Sequence, residues 1–170
     1  DIRLESGGRM DIGQVSDVQG DVSLTAMGDA FVHRIDNTQG AIVVEAASLT
    51  LLDGGLVSNV SGLTRVQLRG DLAMEAGSSV QSDSGNIMID AAGAVQISRV
   101  VSVAGRIDAR SGGDMEINQI SNTHGDIAVT AAGDATVRNI DNILGAVGLE
   151  ASSLTQESGG QITDDSGSIT

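Results

Sequence analysis

His33–Thr50 reads HRIDNTQGAIVVEAASLT, and Arg138–Thr155, offset by 105 residues, reads RNIDNILGAVGLEASSLT. Ten of the eighteen aligned positions are identical. Widening the comparison to Ser6–Thr50 against Ser111–Thr155 gives 25 identities in 45 positions. Self-similarity over such a distance calls for a shorter period inside it. That period is marked by Gly20, Gly40, Gly62, Gly85, Gly105, Gly125, Gly145 and Gly167, spaced 20, 22, 23, 20, 20, 20 and 22 residues apart. The first five spacings sum to 105, so the long repeat is five short ones. The chain is a coil wound about eight times.

With each marker glycine as position 0, the 20-residue coils read down as columns. Position 2 holds Ile2, Val22, Ile87, Ile107 and Ile127, and position 4 holds Leu4, Leu24, Ile89, Ala109 and Val129. Position 12 holds Ile12, Val32, Ile97, Ile117 and Val137, and position 15 holds Val15, Ile35, Val100, Ile120 and Ile140. Between these columns the residues are mostly polar or small. Positions 1 to 6 and 10 to 12 alternate with period two, as strands with one buried face do. β-Branched residues fill the apolar columns and no 3.6-residue stripe is sustained, so helical solenoids are rejected.

Strands that return once per coil must pair in parallel with their equivalents. The expected fold is all-β: a parallel β-helix of about eight coils, right-handed by the rule for parallel crossovers. At roughly 4.8 Å per coil, the rod would be about 40 Å long. The position-8 glycines (Gly8, Gly28, Gly93, Gly113, Gly133) are expected at turns of positive φ. Asn37, Asn122 and Asn142, with Asp17 and Ser102, share position 17. They are expected to form a corner ladder, tolerating left-handed backbone and bonding to their equivalents above and below. The longer coils share LTLLDGGLVS, LAMEAGSSVQS and LTQESGGQITD, read as a lengthened face or corner. The first coil begins in register and the last stops as a new strand starts. Residues 1–170 are therefore expected to be a single β-helix segment excised from a longer rod.

Composition narrows the role. The net charge of −14, with nine arginines and no lysine, disfavours nucleic acid and anionic lipid. No apolar run approaches the roughly 18 residues that span a bilayer, so no membrane insertion is expected. There is no cysteine, which excludes disulfides and thiolate metal sites. One phenylalanine is the whole aromatic content, so the core must be built from stackable aliphatic side chains.

Coils such as GDIAVTAAGDATVRNIDN and GRIDARSGGDMEINQISN resemble the repeats of filamentous haemagglutinin-like large exoproteins. These are adhesins exported by two-partner secretion in Gram-negative bacteria. The resemblance covers the whole chain through a pattern of about 20 residues shared with other β-helical passengers. It implies a right-handed β-helix, a secreted or cell-surface location, and a role in cell adhesion, aggregation or biofilm-matrix contact. The partners implied are extracellular polysaccharide or a surface receptor on a host or neighbouring cell, together with other segments of the same rod.

Candidate contact residues are few. Arg69-Gly70-Asp71 is the tripeptide that integrins read in several adhesins, and an extra residue nearby leads to the expectation of a bulge at a corner. Against this, Gly-Asp recurs at Gly28, Gly113 and Gly133 as ordinary turn chemistry. Phe31 lies in a polar column with Asp11, Gln96, Glu116 and Thr136, so it should point outward with His33 on the same side. Oxygen donors are plentiful, densest at Asp164-Asp165-Ser166, but neither the nonapeptide calcium repeat nor an EF-hand loop occurs. No metal, cofactor or catalytic residue is expected. His33 aligns with Arg138 and His124 with Gln19, so neither histidine repeats, and no triad or metal-ligand spacing emerges.

The expectation is therefore a non-enzymatic adhesive shaft. Two alternatives stand beside it: the stalk of a contact-dependent toxin carrier, and a β-helical polysaccharide-degrading enzyme. The latter needs two carboxylates roughly 5–9.5 Å apart in a cleft.

Overall fold

The computed structural model describes residues 1–170 and contains no helix. Eighteen strands wind into a parallel β-solenoid of about eight turns. Coils 1 to 8 begin at Asp1, Asp21, Ala41, Leu63, Asn86, Arg106, Asp126 and Ala146, each just after a marker glycine or at the first residue.

The first face is an eight-stranded sheet with one strand per coil, from Ile2–Ser6 through Ile107–Ser111 and Ile127–Ala131 to Val147–Glu150. Register is strict: Ile87, Ile107, Ile127 and Val147 face one another in succession. The remaining ten strands form the second and third faces. In six coils one bent strand covers both, as in Ala30–Gln39 and Met115–His124. In coil 4 it divides into Leu72–Met74 and Ser79–Ser84, and in coil 5 into Val95–Ile97 and Val100–Ala104.

Strand periodicity turns alternate residues inward, and stacking turns each inward position into a column. The result is one continuous core of 37 buried apolar residues, without a single ring. Besides the four columns expected from the sequence, position 6 supplies small residues (Ala26, Ala46, Ala91, Ala131) and position 10 supplies Met10, Leu49, Leu72 and Met115. A fully buried aliphatic side chain is worth roughly 1.5–3 kcal/mol, so these columns are the principal stabilising contribution. The corners stack too. Of 122 backbone hydrogen bonds, 36 lie outside the strand ladders, and most of these still run between successive coils, as in Gly28 N–H to Gly8 O at 3.1 Å and Gly105 N–H to His124 O at 2.9 Å.

The coil lengths now have a physical reason. At the corner between the second and third faces, Val32 and Arg34 face Leu51 and Leu56, so coil 3 carries three additional residues there. Coil 4 carries three at the same place, Leu51 facing Met74 and Leu56 facing Ser79, and coil 8 repeats this between Gln156 and Gln161. At the corner after the first face, coils 3 and 8 are one residue short. Subtracting one and adding three gives their 22 residues, while coil 4 keeps the full corner and reaches 23.

Two expectations about turns are corrected. The position-8 glycines are not at positive φ; the marker glycines from Gly20 to Gly145 are, with Gly20 at 120°, Gly105 at 132° and Gly125 at 124°. Gly28 and Gly133 are required by crowding instead, because a Cβ would meet the neighbouring coil's backbone at 2.9 Å and 3.0 Å. The position-17 ladder has no left-handed backbone, since no residue other than glycine has positive φ. Its side chains point inward, and Asn37, Asn59, Asn122 and Asn142 are buried. They do not bond to one another. Each of the first three donates its amide to the marker-glycine carbonyl of the coil below: Asn37 to Gly20 at 3.1 Å, Asn59 to Gly40 at 3.1 Å and Asn122 to Gly105 at 2.9 Å.

Candidate functional site

Arg69-Gly70-Asp71 lies at the corner between the first and second faces of coil 4. The expected bulge is not there. Leu68 faces Ala91 and Leu72 faces Val95, so the tripeptide aligns residue for residue with Ala92-Gly93-Ala94 of the next coil. Gly70 is the position-8 glycine of its coil, and the apparent insertion arose from comparison with coils 3 and 8, which are one residue short. Both charged ends are occupied by backbone. The Arg69 guanidinium reaches back to the carbonyls of Ala26 at 3.2 Å and Met27 at 2.9 Å, two coils below. Asp71 Oδ1 accepts the Ala94 amide of the coil above at 2.8 Å, and Gly70 O accepts from Gly93 N at 3.0 Å. The tripeptide is thus stapled flat along the rod.

Asp71 belongs to a set that sequence reasoning passed over as routine turn chemistry. After either corner glycine, an Asp or Asn side chain takes the amide of its equivalent one coil up. Asp21 accepts from Ala41 at 2.7 Å, Asn86 from Arg106 at 2.8 Å, Asp114 from Asp134 at 2.9 Å and Asp126 from Ala146 at 3.0 Å. A carboxylate accepting a backbone N–H makes a charge-assisted bond, stronger than the neutral ladder. The signal was present in the recurring Gly-Asp and Gly-Asn pairs.

Phe31 does stand in the outward column of the second face, paired with Asp11 and Thr50. It is only half-exposed, because the Arg9 guanidinium lies over the ring at 4.1 Å from its centroid while also bonding Asp11. The ring is therefore a partner for an arginine of the same chain. His33 is exposed at the following corner.

Further along that face, coils 4 to 7 form a shallow open groove of about 630 Å³. Its floor includes Gln96, Glu116 and Thr136, and Asp71, Asp114 and Asp134 line it from the corner. It offers hydrogen-bonding side chains without a ring to stack on. Glu116 and Asp11 share one outward column but stand five coils apart, about 24 Å, beyond the separation of a glycosidase carboxylate pair. Asp164 Oδ1 receives the amides of Ser166 and Gly167, closing a local turn. No group of three or more His, Asp or Glu side chains is placed to hold one metal ion. No family model, curated protein or solved structure matches this chain.

Proposed function

We propose that the chain is a shaft segment of a secreted or surface-displayed bacterial adhesin of the filamentous haemagglutinin type. It works as a stiff spacer whose polar outer columns meet matrix polysaccharide or a neighbouring cell. One observation carries this reading: a single apolar core runs unbroken through about eight in-register coils, so bending the molecule would open columns that exclude water from end to end. The outward second face, with Thr50, Gln96, Glu116 and Thr136 in one line, supports contact through hydrogen bonds with hydroxyl-rich chains. The repeat resemblance supports the extracellular setting.

The test uses beads carrying matrix polysaccharide from a biofilm-forming Gram-negative bacterium. Retention of the chain with no reducing ends released into the supernatant is the expected result. Release of reducing ends would replace the shaft by a polysaccharide-degrading enzyme. Failure to bind either the beads or intact cells would remove the adhesive half of the proposal.

A further inference from the structure

The outward side of the third face carries a pattern that neither core packing nor corner chemistry requires. Its outermost column is aliphatic in alternate coils: Val18, Val60, Val103 and Ile143 in coils 1, 3, 5 and 7. These side chains are between 42 % and 67 % exposed. The intervening coils place Thr38, Asp83, Thr123 and Asp165 at the same position, as the flanking Asn and Ser pairings fix. The neighbouring outward column is mostly small or polar, with Ser16, Ser58, Val101 and Ser121 among its members, and carries two carboxylates, Asp36 and Asp141. Neither column contains an arginine. The first face is crossed by ion pairs such as Arg3–Glu5 and Arg106–Asp108–Arg110, whereas on the outward side of the third face Asp36 alone is ion-paired, to Arg34 at its edge.

We infer that this face is a lateral self-association surface that takes a second, antiparallel copy of the same chain. A two-fold axis lying in the plane of the contact, at right angles to the rod axis and midway between coils 4 and 5, overlaps all eight coils and sets odd coils of one copy opposite even coils of the other. Each aliphatic residue then enters the space over a Thr or Asp of its partner. Along the seam the two copies supply aliphatic groups in turn, one every strand spacing, about 4.8 Å. The same operation prevents Asp83 and Asp165 from facing each other; it sets Asp36 opposite Asp141, where the Arg34 guanidinium bonded to Asp36 supplies the countercharge that a self-complementary interface needs. The area is sufficient: eight coils of about 4.8 Å by a five-residue strand of about 17 Å give roughly 650 Å² per copy and 1,300 Å² in all, within the range of specific interfaces. Opposing this is the repulsion of two chains at −14 each, which salt screens over about 10 Å at 0.1 M. Pairing therefore strengthens as salt is raised. The inference goes beyond the adhesive reading and rests on different residues, so a chain that binds no polysaccharide would still pair.

Sedimentation equilibrium of the full 170-residue chain, over a concentration series in low and high sodium chloride, tests it. The expected result is a monomer–dimer equilibrium that tightens with salt. Val103→Asp with Ile143→Asp should weaken it by more than about tenfold, and Asp83→Thr should tighten it. Thr130→Asp on the first face should leave it unchanged. Thermal melting of each variant by circular dichroism checks that the exposed substitutions leave the fold intact. A strictly monomeric chain in high salt, or a dimer indifferent to the paired aspartates, would overturn the inference.

Discussion

Asn122 shows how a corner of this solenoid is held at the level of one residue. Its buried amide donates to Gly105 O, and Gly105 can lend that carbonyl because its φ of 132° is open to glycine alone. Two predictions follow from the pairing. Asn122→Ala leaves a buried carbonyl without its donor and should cost about 1–3 kcal/mol in chemical denaturation. Asn122→Ser should also cost stability, since of the serines already in that column Ser82 reaches only the carbonyl of its own coil's Gly85, at 3.3 Å, and Ser102 finds no partner. Gly125→Ala is the second. It forces an alanine to a φ of 124° and drives its Cβ onto the Gly105 carbonyl, so a loss of at least about 2 kcal/mol is expected in the same assay. At this scale the sequence was legible in identity and illegible in geometry. The recurrence of glycine and asparagine could be read directly, but not which of two glycine columns has positive φ. That depends on the path between faces, whereas crowding at Gly28 and Gly133 depends on the coil below. Arg69-Gly70-Asp71 misled for a related reason: a corner looks like an insertion when compared with the two coils that lack a residue.

At the scale of one coil, stability comes from columns rather than from pairs. Ile127 packs between Ile107 below and Val147 above, all fully buried, and truncation to alanine should cost about 2–5 kcal/mol because its stacked neighbours cannot collapse into the space. Removing a complete coil should be milder in kind. Deleting residues 105–124 joins Ala104 to Gly125 and returns every column to register, Ile87 then facing Ile127. The shortened chain should keep a strand-type circular dichroism spectrum and a cooperative melt. Deleting only residues 105–114 should abolish both, because half a coil sets a face against a corner. The faces were readable before the coordinates because period two and period 20 reinforce each other along the whole chain. The two further inward columns were less so: position 6 is mostly Ala and Ser, residues that burial does not require, and position 10 varies among Ala, Leu, Val and Met.

Taken whole, the molecule is a one-dimensional object whose properties add coil by coil. Its outer faces differ in kind: charged pairs on the first, a groove and the Arg9-covered Phe31 on the second, and alternating aliphatic and polar groups on the third. Of these features Phe31 drew notice in the sequence and the third-face pattern did not, since an alternation every second coil is invisible until register joins residues about 40 positions apart. The axial stack is the claim from which the shaft, the groove and the pairing face all descend. Because the chain has no cysteine, single nitroxide labels can be placed at will. With one label at Thr25→Cys, a second goes at Arg110→Cys, Thr130→Cys or Glu150→Cys, which lie four, five and six coils away in one outward column. Pulsed electron paramagnetic resonance should return distances near 19, 24 and 29 Å, rising by about 4.8 Å per coil. Distances that fail to grow with coil number would contradict the solenoid.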